Sequence, residues 1–137
     1  MMDSCATLPP YAKFLGISVE TGEEGLLFRM PFGVSVTGRP QFIHGGAIAG
    51  LLEIAAVGTV MEALSGEAGV GVKPITVTVD FMRGGRELET FAAATVERLG
   101  NRIANVEAFA WQEDRSKLIA SARMTLMVRR PARLGEE

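Results

Sequence analysis

The chain has 137 residues, enough for one domain with its own core but hardly for two. Apolar residues make up 47% and charged residues 22%, so the chain is globular and not disordered, and a net charge of −2 gives no general pull toward nucleic acid. Cys5 is the only cysteine and His44 the only histidine, which excludes an intrachain disulfide, a Cys-based zinc site and the common multi-His metal site, and points to a reducing, cytoplasmic compartment.

In chain order, residues 1–9 read as a loose lead, and Met1-Met2-Asp3-Ser4 is neither basic nor followed by an apolar signal core. Pro9 and Pro10 open a short helix through Tyr11 to Phe14, because proline suits the first helical turn. Gly16 to Glu20 is a first strand. Gly22-Glu23-Glu24-Gly25 turns it, and Leu26 to Pro31 pairs back as a hairpin. A loop with Gly33, Gly38 and Pro40 covers residues 32–43. From Gly46 to Met61, sixteen residues then carry a single charge, Glu53. That length and near-continuous apolarity, with many alanines, predict a buried helix ending near Leu64, with Gly66 as its cap. Glu53 and three glycines leave it short of a membrane span.

After the helix the period changes to two. Ile75, Val77, Val79 and Phe81 alternate with Thr76, Thr78, Asp80 and Met82, predicting a strand with one drier face. Thr90–Leu99, Ile103–Trp111 and Leu118–Val128 follow as further strands, joined by Gly100-Asn101 and by the polar turn 112–116. Ala104, Val106, Ala108 and Ala110 share one face, where small residues let a helix approach. The tail from Arg129 to Glu137 is charged and frays. The prediction is one α+β domain over 1–137, its core at about 14–128. An antiparallel sheet of about six strands, the last four in a meander, wraps one long helix.

Two features of the helix carry chemistry. At its start, Gly45 and Gly46 present backbone N–H groups with no intrahelical partner, able to hold an anion or a developing oxyanion. In its middle, Glu53 is costly to bury unless paired or useful. Either it serves chemistry, or it reaches water at a helix edge or pairs with an arginine.

His44-Gly45-Gly46, Glu53 nine positions after His44, Thr76 to Met82, Gly100-Asn101-Arg102 and Lys117 to Ala122 together resemble the hotdog-fold acyl-CoA thioesterases. The likeness spans roughly residues 14–128 and is to the branch that holds phenylacetyl-CoA and 4-hydroxybenzoyl-CoA thioesterases. The resemblance implies hydrolysis of a small or aromatic acyl thioester of coenzyme A or acyl carrier protein, with no metal or redox cofactor. It casts the Gly45 amide as the group that polarises the carbonyl, and Glu53, from another subunit, as general base or nucleophile. The nine positions from His44 to Glu53 span about 13 Å at the helical rise. A base must lie within about 3 Å of its proton or act through one water. One helix cannot bring both groups to one carbonyl, whereas two antiparallel helices can. A homodimer with two composite sites is expected, joined into a dimer of dimers as is frequent in the family.

The pattern departs at two positions. Many members of the branch carry Asn or Gln six residues before the His, where this chain has Gly38, with Gln41 nearby. Val57 stands where the 4-hydroxybenzoyl-CoA enzymes have Thr. Thr76 or Thr78 are candidates for the Ser or Thr that some relatives place on the central strand. Arg83, Arg86 and Arg102, at turns, are candidates for the coenzyme's phosphates or are plain surface arginines. His44 either acts as acid or base or shapes the loop before the helix, and the latter is favoured. Gly46 and Gln41 join the substrate-binding candidates. Met61, Phe81 and Met82 line an acyl pocket or only the core, and Trp111 is core or interface. Two further functions stay open: an acyl-thioester dehydratase or hydratase, and a non-catalytic acyl-CoA binding module. The expected partners include neither nucleic acid nor membrane.

Overall fold

The structure is a computed structural model that describes residues 8–131. The loose lead through residue 7, with Cys5, and the end of the charged tail lie outside the described residues. The elements in order are α1 (Pro10–Leu15), β1 (Ser18–Gly22), β2 (Gly25–Met30), a short 3-10 turn (Val34–Val36), α2 (Gly45–Ala63), β3 (Gly71–Phe81), β4 (Thr90–Leu99), β5 (Ile103–Trp111) and β6 (Leu118–Arg129).

All six strands form one antiparallel sheet in the order β1-β2-β4-β5-β6-β3. Only β4, β5 and β6 form a meander. The expected four-strand meander is corrected: β3 crosses over to pair with β6, Val79 opposite Ala122, and becomes an edge. Its edge position also explains its length. The strand begins at Gly71, earlier than the alternation at Ile75 shows, and tolerates Pro74 because an edge strand has one unpaired side. Residues 75–77 hide the period because the register shifts between Pro74 and Thr76.

The sheet rolls around α2, which packs against β2 through β6. Ala104, Ala108 and Ala110 on β5 and Ala120 on β6 are fully buried, and this small-residue floor lets the helix sit close. Ile48, Leu51 and Leu52 point into it with 0–2% exposure. Burying each contributes about 1.5–3 kcal/mol. The expectation that Glu53 and the glycines leave the helix short of a membrane span is corrected: its 19 residues reach that length and apolarity, and packing on the sheet accounts for them. Gly50 and Gly58 serve contact: a Cβ would lie 2.8 Å from the Tyr11 ring and 2.9 Å from the Phe28 ring, respectively. Leu64, not Gly66, closes the helix, its N–H bonding to the Val60 and Met61 carbonyls.

The helix is not covered all round. Ala49, Glu53, Val57 and Met61 form a half-buried to exposed stripe at helical spacing. The expectation of a buried Glu53 is corrected for the single chain: the carboxylate lies in the open on this stripe, with no ion-pair partner among the described residues.

Candidate active site

The start of α2 is built by its own flanking residues. His44 is the N-cap, in extended backbone, and its Nδ1 accepts the Gly46 N–H at 2.8 Å. That bond requires the neutral ring with its proton on Nε2. It also explains the second glycine, since a Cβ at Gly46 would lie 2.9 Å from Nδ1. The Ala47 N–H bonds the His44 carbonyl. Among the described residues this leaves the Gly45 N–H as the open donor of the first turn. The preference for His44 as a shaping residue rests on this cap. His44→Ala should cost about 1 kcal/mol, seen as a Tm lower by about 3–5 °C in calorimetry, and His44→Asn should recover most of it.

The loop before the helix is pinned from three sides. The His44 N–H bonds the Val36 carbonyl at 2.7 Å, the Ile43 N–H bonds the Gly85 carbonyl at 3.0 Å, and the Gly38 N–H bonds the Phe42 carbonyl at 2.9 Å. The turn is so tight that a Cβ at Gly38 would stand 3.0 Å from the His44 Cα. Asn or Gln does not fit there without moving the backbone that aims the Gly45 N–H. Gln41 sits on the turn at φ 74° with its side chain exposed. The segment after β3 is held by Gln112, whose side-chain amide bonds the Arg86 N–H and carbonyl, the Leu88 carbonyl and the Thr90 hydroxyl. The sequence showed Gln112 only as part of a polar turn. Its positioning role depends on long-range pairing and left no local signal.

Around this loop gathers a cationic cluster. The guanidiniums of Arg39 and Arg86 lie 4.1 and 5.1 Å from the Phe42 ring centre. Arg83 follows β3 close by, and none of the three arginines has a carboxylate partner among the described residues. Arg39 and Phe42 were missed as candidates. An arginine and an aromatic within five residues of His44 was the available signal. Phe81, half exposed, lies against Gly45, 3.5 Å from where a Cβ would be.

Other candidates fall elsewhere. Arg102, in the β4–β5 turn, accepts the Val128 N–H at the far end of the sheet from Gly45. Thr76 and Thr78 stand opposite Thr125 and Arg123 on the outer sheet face, away from α2 of their own chain. Glu53 lies eight residues past Gly45 on one helix, about 12 Å by its rise, so the chain does not bring its base and its donor together. Glu53 instead borders a groove of about 470 Å³ between the second half of α2 and the two edges of the rolled sheet. No group of three or more His, Cys, Asp or Glu suited to a metal occurs among the described residues.

An open helix-start amide, a carboxylate on the same helix and an apolar groove beside it suit a reaction needing an oxyanion donor and a base. Residues 40–119, which hold the whole of this helix and the last residues of the loop before it, match the family described as the thioesterase superfamily. The chain belongs to that superfamily. Its fold is the hotdog fold and its chemistry is thioester hydrolysis. A crystal structure from Chromobacterium violaceum is 34% identical over 90% of this chain and 86% of its own, with a TM-score of 0.73. A thioesterase from Haemophilus influenzae is 24% identical over 93% and 87%, with a TM-score of 0.80. A protein from Bacillus halodurans, solved with CoA, is 22% identical over 90% and 81%, with a TM-score of 0.81. No curated protein matches the thioesterase chain in sequence.

Proposed function

We propose that this thioesterase hydrolyses an acyl-CoA at composite sites between two copies of the chain. The Gly45 N–H of one copy polarises the thioester carbonyl and Glu53 of the other activates water or attacks directly. The observation that carries this is the separation of about 12 Å, by the helical rise, between the open Gly45 amide and Glu53, the carboxylate in the middle of the same helix.

The sheet edges support the association. β1 is short and polar, a protected edge. β3 is eleven residues long and exposes Ile75, Val77 and Phe81 at 52%, 40% and 56%. A long apolar edge of this kind calls for a partner. Two β3 edges paired antiparallel about a two-fold axis continue the sheet, and they set two α2 helices side by side in opposite directions. Each uncovered stripe, with its Glu53, then meets the other copy.

Coenzyme A as the carrier is supported by Arg39, Arg83 and Arg86, on the loop before α2 and the segment after β3, cations with no salt-bridge partner among the described residues and suited to its phosphates. The likeness to the CoA-bound Bacillus halodurans fold agrees. In this reading the enzyme needs no metal or redox cofactor, because a thiolate leaves readily once water is activated and the oxyanion held. Incubation with a panel of acyl-CoAs should release free thiol and free acid. An enoyl or hydroxyacyl thioester as product would mark a dehydratase or hydratase instead, and tight binding without thiol release a binding module.

A further inference from the structure

We infer that the groove beside Glu53 is the acyl pocket and that it selects an unsubstituted, medium-length hydrocarbon chain. This rests on the proposal that Glu53 stands next to the thioester carbonyl.

Glu53, Val57 and Met61 lie four residues apart and therefore share one helix face. All three line the groove, so an acyl chain leaving a carbonyl at Glu53 runs along Val57 toward Met61. Opposite them stand Val19 and Leu26, and Phe28 seats its ring against Gly58. Leu64 and Val70 line the groove at the end of the helix. From Glu53 to Met61 the helix rises about 12 Å, the reach of roughly eight to ten carbons at ordinary bond lengths. The volume of about 470 Å³ lies in the range of small-molecule sites and holds such a chain.

The chemistry of the lining sets the class. Among the described residues no lysine, arginine, histidine, asparagine or glutamine lines the groove. Its polar groups besides Glu53 are Ser65, Glu62 and Glu67, all exposed near the C-terminal end of α2. The Arg130 guanidinium pairs with Glu67 and offsets its charge, which leaves Glu62, without an ion-pair partner among the described residues, as the carboxylate at the groove's far end. A hydrocarbon tail fits this groove. A phosphate or an acyl group ending in a carboxylate meets the Glu62 carboxylate and, among the described residues, no unpaired cation in the lining.

The test uses S-alkyl-CoA thioethers, which bind without being hydrolysed, with tails from two to fourteen carbons. Calorimetry on the full chain should show Kd falling about fourfold per added methylene until the groove is filled, then levelling. An ω-carboxyl on the ten-carbon tail should raise Kd about tenfold or more. Met61→Trp and Val57→Phe, uncovered in the single chain and on the stripe that meets the other copy in the proposed dimer, should shrink the ratio of ten-carbon to four-carbon affinity by at least tenfold. Light scattering on both variants reports whether the dimer persists. A Kd independent of tail length, or variants that weaken all tails equally, would overturn the inference, as would a lost dimer with an unaltered length ratio. Because binding and not turnover is read, a Glu53→Gln protein that keeps full activity would sink the assignment of the base. The measured length profile would still judge the pocket.

Discussion

Glu53→Gln should leave the fold intact and lower kcat for acyl-CoA hydrolysis by a hundredfold or more, the lower end of what a positioned base contributes. The change is nearly isosteric, and the side chain is exposed with no ion-pair partner among the described residues. Nothing in the single chain therefore needs the charge for stability, and Tm should move little. In the single chain the carboxylate reaches water on an otherwise apolar stripe of Ala49, Val57 and Met61, so a loss of activity without a loss of stability separates the proposed chemical role from a solvated helix edge. The thiol-release assay over the acyl-CoA panel reads the effect. Wild-type activity in the variant, with an unchanged Tm, would falsify the assignment of Glu53 as base or nucleophile.

Gly45→Pro should likewise lose a hundredfold or more, because it deletes the open N–H. The helix should tolerate it. Proline fits the first helical position, and His44 already has the extended backbone, φ −64° and ψ 134°, that a following proline requires. The larger consequence appears when the two inactive proteins are combined. In a heterodimer of Glu53→Gln with Gly45→Pro, one composite site takes an intact Gly45 from the first copy and an intact Glu53 from the second. The other site carries both defects. Co-expressed with two different tags and purified as the mixed species, the dimer should recover about half of wild-type activity, one site of two. If the mixed dimer is as inactive as its parents, amide and carboxylate do not meet across the interface, and the composite site is wrong. Recovery at half activity cannot arise from a site held within one chain.

Much of this molecule was legible in the sequence because its strongest signals are local. Sixteen residues with one charge specify a core helix, and Thr90–Leu99 and Ile103–Trp111 coincide with β4 and β5 because alternation and the Gly100-Asn101 turn are short-range features. The two candidate poles of the proposed site are also local features. A glycine pair at a helix start and a lone carboxylate within it are each unusual enough to stand out. Their eight-residue spacing alone shows that one helix cannot bring them together.

Other features depend on contacts far apart in sequence. β3 joins β6 and not β4 because the roll must close around α2, and no local pattern encodes which strands become neighbours. The apolarity of α2 gave no hint of an uncovered stripe, since Glu53 looks buried when only its helix neighbours are read. Gly38 looked like a lost polar residue. In the fold it is a position where a side chain would strike the His44 backbone, a packing fact visible only once the loop is closed. Gln112 acquires its role from strands twenty residues and more away. By itself the sequence determined the family's chemistry, the core helix and the two groups proposed to react, because these rest on residue type and local spacing. The tertiary structure decided which amide stays open, which side of the helix is left bare and which long strand becomes an edge, because each is set by what the rest of the chain covers.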